Sequence, residues 1–318
     1  TEAMSQAPLL LNQGMTAWLA AWNVAKTPFD RVRLLCQFKL KYLAPVIALL
    51  RGLTDPIIGL SMGQTAEIIA HRFGISREKM DEFSLQSHQR LAAAQDAGIF
   101  KDELNPVYDR KNHYYSYDSG LRRDTRLEKL ASLKPFFDKS FGLVTAGNSS
   151  QVTDGAAFLV LASEKAVQQY QLPVLARIVD VVWAGVEPSE MGLGPVHAVS
   201  ILLKKQQLAF NRIDFWEINE AFAGQVLACL AAWQDIDYCK TQLGLSEILG
   251  QLNPAILNID GGAIAMGHPV GASGARIVLH LAHVLKRKQA RFGIATLCIG
   301  GGQGGALLLE HVDKAGVV

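Results

Sequence analysis

The sequence predicts a layered α/β protein, and two observations carry the prediction. After Pro173, apolar runs of strand length alternate with amphipathic segments of helix length, the pattern of a largely parallel sheet covered by helices. Across 318 residues, 49% hydrophobic against 19% charged content supplies enough apolar surface for two packed units with real cores.

Composition also excludes several function classes. The 31 basic and 29 acidic side chains nearly cancel, so no sequence-wide field exists to hold a nucleic acid, and an anionic ligand must be met locally. The four cysteines, Cys36, Cys229, Cys239 and Cys298, have irregular spacing, no C-x-x-C pair and no secretory leader. Reduced thiols in a cytosol-like compartment are expected, not a disulfide scaffold. Arg51 and Asp55 break the longest apolar stretch before it reaches the roughly 18 residues of a spanning helix.

The elements follow in chain order. Val32, Leu35, Phe38 and Tyr42 recur at helical spacing among Arg31, Arg33, Lys39, Lys41 and Arg51, which predicts a basic amphipathic helix within Phe29 to Leu53, stopped near Pro45. Ala66 to Ala97 reads as two helices joined at Gly74, the second opened by Ser76 and Glu78, and Asp109 to Ser119 as a polar loop. Phe141 to Asn148 and Phe158 to Ala162 are apolar and read as strands around a Gly/Asn/Ser turn. Beyond Pro173 come strand Val174 to Val182, helix Val196 to Gln207, strand Phe215 to Ile218 and helix Glu220 to Trp233. Strand Ile256 to Asn258, helix Gly274 to Lys288 and strands Phe292 to Ile299 and Ala306 to Glu310 complete the series.

Three loops at strand ends hold candidate chemistry, because ligands of such sheets gather at the carboxyl ends of strands. In Asn219-Glu220-Ala221-Phe222, Asn219 fits a helix N-cap. In Gly267-His268-Pro269 and its sequel Gly271-Ala272-Ser273-Gly274, His268 sits just ahead of a helix start, where unpaired N–H groups favour developing negative charge. In Cys298-Ile299-Gly300-Gly301-Gly302, small residues let backbone N–H groups approach a carbonyl, with Cys298 exposed at the strand end. Gly300, Gly302 and Gly305 match the G-x-G-x-x-G spacing, but a strand follows instead of a helix, so a dinucleotide site is not expected. His280 and His283 have no carboxylate or cysteine beside them in sequence and read as helix surface, not a metal pair. Together the loops offer an imidazole, a thiol, a side-chain amide and bare backbone donors, the parts needed for carbon-acid and thioester chemistry.

On these three motifs the sequence resembles the thiolases, over nearly the whole chain. The resemblance implies the layered αβαβα thiolase fold, with the C-terminal half complete and the N-terminal half truncated. Residues 1–8 and 141–171 are then a remnant of the N-terminal domain, 9–140 a helical and loop domain, and 172–318 the C-terminal domain. It implies that Cys298 exchanges a proton with the substrate α-carbon, a role its ordinary pKa of about 8.5, tuned toward neutrality, would suit. His268 would activate a nucleophilic cysteine and help hold the thioester oxygen, Asn219 would position a water in that oxyanion hole, and the Gly300 N–H would serve a second one. Ser61-Met62-Gly63, Arg122, Phe137 and Thr145 to Ser150 are similar to the family's coenzyme A region. Met62, Phe137, Ser150, Met191 and Phe222 would then touch the coenzyme A arm and Arg122 its nucleotide end, while the family often has His where this chain has Ser61.

The family's nucleophilic cysteine precedes a stretch that Thr1 to Pro8 resembles, so the expectation is that the part holding it is absent and that this chain alone is inactive. Cys36, inside the amphipathic segment without a glycine elbow, does not replace it. The region Phe29 to Met62 resembles the thiolase subunit of fatty-acid β-oxidation complexes. The resemblance thus implies thiolytic cleavage of 3-oxoacyl-coenzyme A, coenzyme A as substrate with no permanently bound cofactor and no metal, and a homodimer or tetramer. It further implies a hydratase/dehydrogenase partner subunit, peripheral membrane contact through Phe29 to Leu53, and a cytoplasmic or mitochondrial location. A biosynthetic acetoacetyl-coenzyme A thiolase and a non-catalytic acyl-coenzyme A-binding or assembly subunit are the alternatives.

Overall fold

A computed structural model describes residues 1–312. Its centre is a four-stranded sheet, and the elements used below are numbered in chain order. A two-residue strand β1 (Glu2–Ala3) precedes helices α1 (Gln13–Val24), α2 (Pro28–Gln37), α3 (Met62–Arg72) and α4 (Arg77–Asp96). Then come β2 (Asp154–Gly155), β3 (Ala176–Gly185), α5 (Gly194–Gln206), β4 (Phe215–Ile218), α6 (Ala223–Gln234), α7 (Val270–Lys288), β5 (Phe292–Ile299) and β6 (Gln303–His311).

The strand order is β3-β6-β5-β4, with β4 parallel to β5 and β6 antiparallel to both its neighbours. The sheet is therefore mixed, not largely parallel, because the glycine turn after Ile299 folds β6 straight back onto β5. Successive side chains alternate between its faces. Ile294 and Leu308 join Val199 and Leu202 of α5 and Val226 and Trp233 of α6. Ala295 and Leu309 face Ile277, Leu281 and Leu285, one stripe of α7. Beyond α6, Ala70 of α3 and Met80 of α4 pack on Ala223.

Local signals explain the helix starts. Ser61 and Gln64 form a reciprocal capping box at α3, and Ser76 accepts from Lys79 N–H at the head of α4. The strand Phe215 to Ile218 and the strand Phe292 to Ile299 lie where the sequence puts them.

Other expectations fail for want of a partner. Phe141 to Asn148 forms turns, and Phe158 to Ala162 has no strand beside it among the described residues, leaving Val160 93% exposed. Ile256 to Asn258 is a 3-10 turn with one bridge, Trp216 to Leu257. The single helix expected within Phe29 to Leu53 ends at Gln37. There Asn12 draws the carbonyls of Lys41, Tyr42 and Ala44 to its amide at 2.9–3.0 Å and bends the chain back on α1. Among the described residues no helix is long and apolar enough to cross a membrane.

Candidate active site

Strand β4 delivers Asn219 to the sheet's edge, where its N–H continues the ladder by donating to Thr296 O (3.0 Å). The next residues are pinned from outside the sheet: Ser150 N–H donates to Ala221 O (3.0 Å) and Ala223 N–H to Asn148 O (2.9 Å). Helix α6 begins only at Ala223, with Phe222 in the N-cap position, so Asn219 caps nothing. Its side chain is fully buried and turned to His268 instead, Nδ2 lying 3.3 Å from Nε2. Asn219 Oδ1 is buried without a hydrogen-bond partner among the described residues.

His268 reaches this place through a short helical turn, Ala263–Met266, and Gly267. Gly267 has φ +105°, and a Cβ there would fall 2.1 Å from Thr153 Oγ1, so only glycine fits. The His268 N–H is shared by Gln151 O (3.3 Å) and Thr153 Oγ1 (3.2 Å). On the ring, Nδ1 meets Ser273 Oγ at 2.6 Å, and that hydroxyl donates to Pro269 O at 3.1 Å. Ser273 Oγ reaches both groups, and the arrangement in which it donates to Pro269 makes Nδ1–H its donor and leaves Nε2 as the acceptor for Asn219. Burial, with the Arg276 guanidinium adding to it, pulls the imidazole down to about 4, so the ring is neutral near pH 7.

Cys298 is the penultimate residue of β5, paired with Gly304. It is 8% exposed, not open at the strand end as the sequence suggested, because Ala221 and Phe222 pack over it with Ala66, Val144 and Met191. Burial pushes its thiol up to about 12, away from neutrality, contrary to the tuning expected from sequence. Met62 and Phe137 lean on the same cluster, Phe137 edge-on to Phe222 at 6.2 Å. Gly300 lies beside the Met62 sulfur, beyond the strand end.

The structure thus brings together Asn219 with His268, and Cys298 with Met62, Phe137, Met191 and Phe222. The two groups adjoin through the Asn219–Phe222 stretch, and Ser150 is tied to it by the bond to Ala221. Arg122 stands apart on an exposed loop, its N–H donating to His88 Nδ1 on α4 (3.3 Å). Ser273 was visible only as one letter of a glycine-rich run, since no short motif marks a residue five positions past the histidine.

Comparison with known proteins decides the family. The thiolase N-terminal domain model matches residues 1–165 and the thiolase C-terminal domain model residues 172–311. The chain belongs to the thiolase family. It is 44% identical to human mitochondrial 3-ketoacyl-CoA thiolase over 81% of this chain and 62% of that protein. It is also 44% identical to the 3-ketoacyl-CoA thiolase of Citrobacter koseri, over 80% of this chain and 62% of the relative. This thiolase chain therefore spans just over three-fifths of the length of the curated relatives it matches. Among solved structures it is similar to Bacillus anthracis acetyl-CoA acetyltransferase, with TM-score 0.81 and 37% identity, covering 98% of this chain and 70% of that one. Human mitochondrial 3-ketoacyl-CoA thiolase in complex with CoA gives TM-score 0.78 and 39% identity, with 98% and 69% coverage.

Proposed function

We propose that this chain carries the enolate-handling half of a 3-ketoacyl-CoA thiolase, the enzyme that cleaves 3-oxoacyl-CoA with free CoA to acetyl-CoA and a shortened acyl-CoA. The observation that carries the reading is the Asn219–His268 pair, 3.3 Å apart and backed by Ser273, next to a buried thiol in an apolar cluster. The relatives' names and the human structure solved with CoA support the substrate class.

In the cleavage direction a thiolate adds to the 3-oxo carbon. The bond between C2 and C3 then breaks, and its electron pair passes to C2 as the enolate of acetyl-CoA. Cys298, held as a thiol by burial, gives its proton to C2. The enolate oxygen is met by a water that donates to it and, with its other hydrogen, to the unpaired Asn219 Oδ1. His268 Nε2, the free base of the resting ring, takes the proton of the attacking thiol and then faces the same oxygen as a donor. The Gly300 N–H serves the oxyanion formed at the 3-oxo carbon. Met62, Phe137, Met191 and Phe222 line the approach of the CoA arm, Ser150 borders it, and Arg122 meets the nucleotide end from its exposed loop.

The acyl-carrying sulfur is not assigned to any cysteine described here: Cys229 and Cys239 are buried in the core, and Cys36 lies exposed on α2. The enolate half can be tested without it, since removing a proton from the methyl group of acetyl-CoA needs only the groups named above. Incubated with acetyl-CoA in deuterium oxide, the chain is expected to exchange the methyl hydrogens, and Cys298→Ala to abolish the exchange. Undiminished exchange in the variant would refute the role of Cys298. Thiolysis of short and long 3-oxoacyl-CoA by the full-length protein then separates degradative from acetoacetyl-CoA-specific activity.

A further inference from the structure

Glu220, one residue beyond Asn219, is 1% exposed and has no part in the chemistry above. Three hydrogen bonds converge on its carboxylate. Ser87 Oγ on α4 donates to Oε2 at 2.7 Å, Ile264 N–H donates to the same oxygen at 3.2 Å, and Asn258 Nδ2 donates to Oε1 at 2.8 Å. The partners are themselves tied in place. Ser87 Oγ accepts from Gly262 N–H (3.1 Å) while its own hydrogen stays available to Glu220. Asn258 Oδ1 accepts from Ile218 N–H (2.9 Å) and its Nδ2 also donates to Ile218 O (2.9 Å), so the amide cannot turn over. Glu220 thus accepts at both carboxyl oxygens, twice at Oε2 and once at Oε1.

The carboxylate also lies directly against Gly262, where a Cβ would fall 2.2 Å from Glu220 Cδ. Gly262 and Ile264 open the turn that leads to Gly267 and His268, whereas Asn258 and Ile218 hold the end of β4 that carries Asn219. Glu220 is thus bonded to the chain on both sides of the 3.3 Å Asn219–His268 contact, and Ser87 fastens the junction to α4. Burial pushes the carboxyl up, and the Ser87, Asn258 and Ile264 bonds oppose that push. A carboxyl group buried at this cost, and bonded to Ser87, Asn258 and Ile264 instead of to a reacting group, serves geometry.

We propose that Glu220 is a positioning residue: by joining Ser87, Asn258 and the backbone at Ile264, it sets the spacing between the Asn219 amide and the His268 imidazole. The proposal rests on the enolate reading for its effect on rate, but its geometric content stands independently. Glu220→Gln is nearly isosteric and must present an N–H either to Asn258 or to Ser87 and Ile264, so one side of the junction comes apart.

Two measurements test it. In the acetyl-CoA deuterium exchange, Glu220→Gln is expected to lower kcat by about 10²-fold, the effect of misplacing a reacting group by about 1 Å, with KM for acetyl-CoA unchanged. A crystal structure of the same variant is expected to show the Asn219 Nδ2 to His268 Nε2 separation opened beyond hydrogen-bond reach within an otherwise intact fold. An unchanged separation, or a loss confined to KM, overturns the proposal. If the wild-type chain exchanges no deuterium, the enolate reading fails and the separation alone decides the role of Glu220. Should Glu220→Gln not fold, Ser87→Ala, which keeps the carboxylate and removes one donor, carries the same two measurements with the same outcomes.

Discussion

With Ser273 accepting from His268 Nδ1–H and donating to Pro269 O, its removal leaves the imidazole free to exchange tautomers. Ser273→Ala is expected to lower acetyl-CoA deuterium exchange about tenfold, the worth of one hydrogen bond. Nitrogen NMR of the His268 ring should then report a mixture in place of a single Nδ1–H form. A second residue-scale expectation concerns pH. In the proposed reaction the base that abstracts the α-proton is the Cys298 thiolate, and burial raises this thiol to about 12. Exchange should therefore climb about tenfold per pH unit between pH 7 and 10, and a plateau near neutrality would contradict the burial of this thiol. At this scale the sequence was informative where a residue type is rare in its setting, as with His268 after Gly267 or Cys298 ahead of Gly300. It misled where a bland local role was available. Asn219 had the look of a cap, and only the tertiary neighbour His268 claims its side chain. Glu220, Asn258 and Ser87 gave no signal, because their meaning lies in bonds that cross up to 175 positions.

Elements were legible when their own residues settle them. The α4 start at Ser76, the α7 stripe of Ile277, Leu281 and Leu285, and the strands Phe215–Ile218 and Phe292–Ile299 each follow from a cap or a periodicity. A strand, in contrast, exists only beside another. Phe158 to Ala162 is apolar enough, yet it lies unpaired and exposed among the described residues. The antiparallel return of β6 was equally hidden, since strand-helix alternation says nothing about a direct hairpin. The turn from Ala263 to His268 supplies the prediction at this scale. Gly267 has φ +105° and ψ 165°, a region open essentially to glycine alone, and has no room for a Cβ beside Thr153. Gly267→Ala should destabilise the fold by about 1–3 kcal/mol in denaturant titration and also displace His268, so that exchange falls more than stability does.

For the molecule as a whole, the largest departure from the sequence reading is His280. Read as helix surface, it is 1% exposed and sits among acids drawn from separate parts of the chain. Its Nδ1 meets Glu103 at 3.0 and 3.1 Å, and its Nε2 lies 3.2 Å from Asp260 and 3.9 Å from Glu217, while Arg287 pairs with Asp260. Burial opposes the charged ring, but Asp260 and Glu103 outweigh it and lift the imidazole to about 10. A folded value above the ordinary 6.5 means that the stabilisation is fully present below pH 6.5 and is lost as pH rises through about 10. His280→Gln should therefore cost about 3–5 kcal/mol at pH 6, by stranding buried carboxylates. The gap from wild type in thermal midpoint should close between pH 7 and 10, and a gap independent of pH would contradict the ion cluster. The cluster joins Glu217 on β4 and Asp260 before Gly261 to α7, the same elements that frame Asn219 and His268. The assembly as a whole is tested most directly by a crystal structure of this chain with acetyl-CoA. The methyl carbon is expected about 3–3.5 Å from Cys298 Sγ, with the thioester oxygen turned to His268 Nε2 and to a water on Asn219 Oδ1. Acetyl-CoA bound elsewhere, or with its methyl group walled off from Cys298 by Phe222 and Met191, would contradict it.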